Sequence, residues 1–351
     1  MRFAVLGAGA IGGYLGACLA RAGLDVTLIA RGAHLAAIRE RGIRVLSPDG
    51  DFCASPPATD DIATVAAADV VFCGLKAYSL PQVAPALRGA LRPGTSVIAA
   101  QNGIPWWYFQ GRPGPYRDLV IESVDPGGVV TRAVDPGSVV GCVVYPATEI
   151  TEPGVVRHVE GNRFSLGEPD DSRSERCAEI SQAFRAAGLR APVATGLRNQ
   201  IWLKVIGNAA LNPVTTLLGA TLGQLGRSPA AMRLVRAVMT ESADVASALG
   251  IVFPVSLDRR LEAAIAVGDH RTSMLQDRLA GKPLEIDCLT GAVIEIAARV
   301  GVDVPQTRAV HDLLRATEDL GGPGEGPVTS RPGGGAAGTP HGAAGPADGR
   351  S

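Results

Sequence analysis

The run Gly7-Ala8-Gly9-Ala10-Ile11-Gly12 restricts what this chain can fold into more than any other segment. It follows the apolar stretch RFAVL at 2–6 and leads into small and apolar residues at helical spacing up to Arg21, so a glycine turn joins a strand to a helix. In that setting each glycine has a physical task. Gly7 allows a tight turn, Gly9 lets a pyrophosphate approach the backbone, and Gly12 lets the helix pack closely, while the first N–H groups of the helix face the anion. The alternative is a merely flexible glycine loop, but the strand before and the helix after it favour a dinucleotide site.

A second apolar run, VTLIA at 26–30, completes a strand–helix–strand unit and ends at Arg31. A carboxylate at that strand end would bind the ribose 2′-hydroxyl of NAD and repel a 2′-phosphate. Asp25 lies before the strand, too early for that role, whereas the Arg31 guanidinium suits a phosphate, so NADP(H) is the expected cofactor. An ordinary solvated surface charge is the other reading of Arg31.

Beyond this unit a helix is expected at about 33–41, then RVLS and DFCA around an Asp49-Gly50 turn. DVVFCGL at 69–75 and SVIAA at 96–100 are continuous apolar runs, as parallel strands covered on both faces require. The pattern is that of a doubly wound α/β fold. From about 117 to 168, Val-rich segments between Pro-Gly turns read as added antiparallel strands, followed by a helix at 173–187 and a strand near 189–194. Past Gly196 helical periodicity prevails, with stripes such as Met232, Val235, Met239, Ser242, Ala246 and Leu249. The fold class expected is α/β: a Rossmann-type dinucleotide-binding domain over 1–196, then an all-α domain over 197–320. Residues 321–351, dominated by Gly, Pro and Ala, cannot offset their ordering entropy and are expected to be disordered.

Charge narrows the partners. Lys plus Arg number 33 against 34 for Asp plus Glu, which leaves no excess to draw nucleic acid or an anionic membrane. Phe3–Ala20 is uncharged and follows Arg2, imitating a signal peptide, but five glycines make it a poor hydrophobic segment. Six scattered cysteines without a CxxC pair read as buried thiols in a reducing compartment, so a cytoplasmic protein with no metal site is expected. Buried and interface faces share one sequence signature, so a homodimer stays open.

Polar residues in apolar surroundings mark the candidate chemistry. Lys76 follows the 69–75 strand and Asn102 the 96–100 strand, both at the sheet edge where ligands of such folds sit; a strand-capping lysine and a turn asparagine are the alternatives. Lys204, Asn208 and Asn212 recur every four residues and share one face of an apolar helix, costly to bury unless they meet one another or a ligand. Pro213 is expected to kink or end that helix. Ser273 and Glu285 flank a turn that leads into an apolar helix, and spacing alone favours a helix cap and a first-turn carboxylate over a site.

Taken in order, AVLGAGAIGGYLGACLARAGLDVTLIAR, LKAY, QNG, WLKVIGNAALNPVTTL and SMLQDRLAGKPLEID resemble the ketopantoate reductase (2-dehydropantoate 2-reductase) family over about residues 1–320. The resemblance implies NADPH-dependent reduction of 2-dehydropantoate to (R)-pantoate in pantothenate synthesis, in a cleft between the two domains. It makes Lys204 the general acid and Glu285 a catalytic or substrate-orienting carboxylate, with Asn102, Asn208, Asn212 and Ser273 on the substrate. Lys76 becomes a second active-site lysine, counted with Asn102, Arg31 and the glycine turn among the cofactor contacts. The sequence departs from the family at Ile104-Pro105-Trp106-Trp107-Tyr108-Phe109, which holds four of the fifteen Phe, Trp and Tyr residues. Such a cluster shapes a different pocket or packs at a domain or subunit contact. The alternatives are a reductase of another 2-oxoacid and a non-catalytic dinucleotide sensor.

Overall fold

The computed structural model describes residues 1–253 and 255–321; the expected disordered tail, Gly321 apart, lies outside the described residues. The chain opens with β1 (Arg2–Leu6), α1 (Ala10–Arg21), β2 (Asp25–Ile29), α2 (Gly32–Arg41), β3 (Ile43–Leu46), β4 (Phe52–Ala54) and β5 (Ala58–Thr59). It continues through β6 (Val70–Cys73), α3 (Leu80–Ala90), β7 (Ser96–Ala99), α4 (Val129–Ala133) and β8 (Val139–Val144). Then come β9 (Ala147–Glu152), β10 (Val155–Glu160), β11 (Phe164–Gly167) and α5 (Glu175–Ala186). The larger sheet runs β11-β8-β7-β6-β1-β2-β5, parallel except for β11.

Its strands alternate between two cores, as a period of two requires. Phe3, Val5, Val70, Phe72 and Ile98 face α1 and α5, while Ala4, Leu6, Val71, Cys73 and Val97 belong to a core continuous with the helical half. A second sheet, β4-β3-β10-β9, covers the outer side of α1. This sandwich explains the glycines in the segment that imitates a signal peptide: a Cβ on Gly16 would meet Leu28 at 2.3 Å, and one on Gly13 would meet Ile43 at 2.9 Å. Only a glycine-faced helix fits between two sheets so close.

The carboxyl-terminal half contains α6 (Leu197–Leu218), α7 (Leu222–Gly226), α8 (Pro229–Ala248), α9 (Leu257–Ile265) and α10 (Ser273–Leu279). A π-helical turn at Asp287–Gly291, α11 (Ala292–Val300) and α12 (Pro305–Asp319) complete it. The fold is therefore a Rossmann-type α/β unit followed by an all-α unit. No helix among the described residues is long and apolar enough to cross a membrane, and no three or more His, Cys, Asp or Glu side chains there are grouped to hold a metal ion.

Five local expectations are corrected. GVVTRAV is not a strand: Asp125 accepts from the backbone N–H groups of Val130 and Thr131 and starts α4, with Gly127 and Gly128 at positive φ making the turn before it. SVVGCVV is β8, antiparallel to β11 as expected but parallel to β7, so that it extends the main sheet. Residues 189–194 make only isolated bridges to Arg163 and Leu166. Asp25 begins β2 opposite Arg2, at the sheet edge away from the glycine turn. Pro213 neither ends nor splits α6, because that stretch is packed against α8 and α10 and burial outweighs one missing backbone bond. Of the six cysteines, all free, Cys53 is exposed and the other five are buried.

Candidate functional site

The carboxyl ends of the parallel strands line up along one edge in the order β8, β7, β6, β1, β2. At about 4.8 Å per strand this edge spans roughly 19 Å. Arg31 stands after β2, the glycine turn after β1, Lys76 after β6 and Asn102 after β7; Lys204 of α6 docks on the end of β8. The topology thus gathers residues as far apart in sequence as Gly7 and Lys204 into one row.

The glycine turn has the form the sequence implied. Gly7 has φ +92°, and Gly7 and Ala8 donate their N–H groups to Ile29 O. No side chain caps the N-terminus of α1, so the N–H groups there are left for an anion. A Cβ on Gly12 would sit 2.2 Å from Gly7 O, whereas one on Gly9 would meet nothing within 4 Å. Gly9 thus borders open space into which a diphosphate fits. Arg31 is exposed at the start of α2 and has no ion-pair partner among the described residues.

At the next strand end the Lys76 ammonium lies 2.7 Å from Asp277 and 2.9 Å from Glu285, tying the sheet to the helical half. Glu285 is buried, and its other oxygen accepts from the backbone N–H of Ala77 at 3.4 Å. Burial alone would lower the Lys76 pKa, but the two carboxylates outweigh it and hold the group well above the ordinary lysine range. Asp277 was missed as a site residue; its only sequence signal was a place one helical turn after Ser273.

The polar stripe of α6 faces the same edge. Lys204 Nζ donates to Val144 O at 2.6 Å, and Asn208 Nδ2 donates to Asn102 Oδ1 at 2.9 Å. Asn212 is buried a turn further on. Beyond it Thr215 shares a 2.7 Å hydrogen bond with Thr272, which brings the start of α10 alongside the stripe. Ser273 is exposed as the first residue of α10, and the cap is Thr272, whose hydroxyl accepts from Leu275 N. The alternative of a cap at Ser273 and a first-turn carboxylate at Glu285 therefore fails, since Glu285 is engaged by Lys76.

The loop carrying Asn102 is pinned to the helical half. Ile104 N donates to Cys288 O at 2.9 Å, and Gly103, at φ +84°, has no room for a Cβ, which would lie 2.1 Å from that same oxygen. One π-helical turn thus fixes both Glu285, just before it, and Asn102. The aromatic cluster is packing between the halves: Trp106, Trp107, Tyr108 and Phe109 are all buried, and Trp202 of α6 donates to Tyr108 Oη at 2.7 Å. Trp107 alone of the four also lines the small cavity beside Lys204.

The two lysines are driven apart in acidity. Burial lowers the Lys204 pKa to about 8, against the pull of Glu285 and with the help of Lys76, whereas Lys76 is locked as a cation. One ammonium can release its proton near neutral pH; the other is a fixed charge. Together with three neutral amides and a carboxylate, this set can bind a small polar anion and protonate an oxygen on it.

Comparisons with known proteins agree with the fold. The family model "Ketopantoate reductase PanE/ApbA" matches residues 3–171, and "Ketopantoate reductase PanE/ApbA C terminal" matches 196–318. The chain is 43% identical over 316 residues to the 2-dehydropantoate 2-reductase of Mesorhizobium japonicum, covering 90% of this chain and 97% of that one. It is 31% identical to the enzyme of the same name from Halobacterium salinarum, covering 91% and 99%. The crystal structure of the PanE/ApbA family ketopantoate reductase from Ralstonia eutropha superimposes with a TM-score of 0.79 at 30% identity, covering 91% of this chain and 99% of that chain. The chain belongs to the ketopantoate reductase family, whose members are dinucleotide-binding oxidoreductases acting on a CH–OH group.

Proposed function

We propose that this protein reduces 2-dehydropantoate to (R)-pantoate with NADPH, as a step of pantothenate and coenzyme A biosynthesis, on a dinucleotide-binding domain of residues 1–196 and a helical domain of residues 197–320. The observation that carries the reading is Lys204, a lysine with its pKa brought down to about 8, held by Val144 O in one row with Asn102, Lys76 and the glycine turn.

The turn Gly7–Gly12 would hold the diphosphate, with Arg31 at the 2′-phosphate and Lys76 and Asn102 nearer the nicotinamide. Bound there, the reduced nicotinamide supplies a hydride to the C2 ketone. The protein supplies the rest. Lys204 donates a hydrogen bond to the ketone oxygen, stabilises the negative charge that builds on it and gives up its proton to form the alcohol. Asn208 and Asn212, one and two turns along α6, and Ser273 at the start of α10 orient the carboxylate and hydroxyl of the substrate. Asn102 is kept in place by Asn208, and Glu285, anchored by Lys76, accepts from a substrate hydroxyl while its charge favours the ammonium form of Lys204. A non-catalytic sensor would need the glycine turn but not a lysine of lowered pKa.

The test is a panel of 2-oxoacids assayed by NADPH oxidation, in which 2-dehydropantoate is expected to have the largest kcat/KM. A different 2-oxoacid ahead by orders of magnitude would transfer the assignment to that acid. Arg31→Ala is expected to weaken NADPH by about tenfold or more, the worth of one charged hydrogen bond, and to leave NADH unchanged. Titration of both dinucleotides checks this, and equal losses would remove Arg31 from the 2′-phosphate.

A further inference from the structure

Beside Lys204 lies a partly open cavity of about 20 Å³, lined by Gln101, Asn102, Trp107, Cys142, Val144 and Lys204 among others. Two of the lining residues carry a buried polar atom without a hydrogen-bond partner among the described residues, Trp107 Nε1 and Gln101 Oε1. Trp107 is 1% exposed, and its six-membered ring is wedged against β8, so close that a Cβ on Gly141 would lie 2.6 Å from it. The orientation of the Gln101 amide is also fixed. Its nitrogen donates to Cys73 O at 2.9 Å and lies 3.5 Å from Leu75 O, and two carbonyls accept only from the NH2 end. The oxygen therefore has no choice of direction.

One buried donor and one buried acceptor left unpaired would each cost about 1–3 kcal/mol. A water needs roughly 10–15 Å³ and two to four polar partners; the cavity has the room, and Trp107, Gln101 and Lys204 among its lining residues carry the polar groups. We propose that the cavity binds a single ordered water that accepts from Trp107 Nε1, donates to Gln101 Oε1 and accepts from Lys204, making Trp107 and Gln101 positioning residues for the proton donor. The lysine count agrees: of three N–H bonds on Lys204, one goes to Val144 O, one is needed by the ketone oxygen and the third points to the water. The water acts only as an acceptor toward the ammonium, so it favours the charged form and fixes its direction. The other titratable groups that face Lys204 are Glu285, which favours the charged form, Lys76, which opposes it, and the Cys142 thiol, which burial keeps protonated.

This inference rests on Lys204 as the acid, and its test has one part that does not. A crystal structure of the full chain is expected to show one water within hydrogen-bond distance of both Trp107 Nε1 and Gln101 Oε1; a dry cavity overturns the proposal, whatever Lys204 does. In Trp107→Phe, which keeps a ring and loses the N–H, kcat is expected to fall about three- to tenfold, the worth of one hydrogen bond. KM for the 2-oxoacid should stay put, and the alkaline limb of the kcat/KM profile should move down by about half a pH unit or more. A variant whose pH profile superimposes on the wild type overturns the coupling of the water to Lys204. A wet cavity in a protein whose Lys204→Ala variant keeps full kcat would leave the water in place and refute the general-acid reading instead.

Discussion

Lys204→Ala is expected to lower kcat for ketone reduction by about 10³-fold, within the range that a positioned proton donor supplies, and to leave NADPH affinity unchanged. The split follows from position. Lys204 hangs on the end of β8, three strands from the glycine turn, so its removal leaves the diphosphate and ribose contacts alone. With Lys204 as the proposed acid, the reaction needs the ammonium form, and that form is lost as pH rises through about 8. The kcat/KM of reduction is therefore flat below that value and falls about tenfold per pH unit above it. Oxidation of the alcohol, measured in reverse, uses the free amine as base and shows the opposite limb, rising toward pH 8. Lys76 makes no limb of its own, because Glu285 and Asp277 keep it charged far beyond the range of assay. Lys204→Arg, which keeps the charge without a proton to give, recovers ground-state binding and little of kcat. A Lys204→Ala enzyme with wild-type kcat would place the proton donor elsewhere.

How much of this was legible in the sequence depends on range. The glycine turn, α1, β2 and the polar stripe of α6 are set by neighbours within a few positions, where strand and helix periods and turn chemistry act, and the structure reproduces them. GVVTRAV shows the limit: its Val content suits a strand, but the capping carboxylate of Asp125 and two glycines at positive φ decide for a helix. The site pairs are less legible still. Lys76 with Asp277 joins residues 201 positions apart, and no local pattern distinguishes that aspartate from a solvated one. Val144 contributes a carbonyl, a group every residue has, so nothing in its side chain reveals that it anchors Lys204. The aromatic cluster after Gly103 stood out by composition, but only its contact with Trp202 and Arg198 identifies it as packing between the two halves.

The glycine turn gives the other large effect, through a contrast between two glycines that read alike in the sequence. Gly12→Ala puts a methyl carbon 2.2 Å from Gly7 O and 2.9 Å from Val5, and the first of these is backbone of the turn itself, which cannot swing aside. Forcing it apart costs about 1–3 kcal/mol, so thermal unfolding of the ligand-free protein shifts down by several degrees and NADPH affinity falls by at least about tenfold. Gly9→Ala adds its methyl to open space, at an ordinary negative φ of −73°, so the ligand-free protein keeps its unfolding temperature. The proposed diphosphate position uses that same space, so NADPH affinity is expected to fall as far in Gly9→Ala as in Gly12→Ala. Calorimetry of the free proteins and titration with NADPH separate the two causes. If Gly9→Ala bound NADPH like the wild type, the open side of the turn would not be where the diphosphate lies, and the row from Arg31 to Lys204 would lose the anchor that orders it.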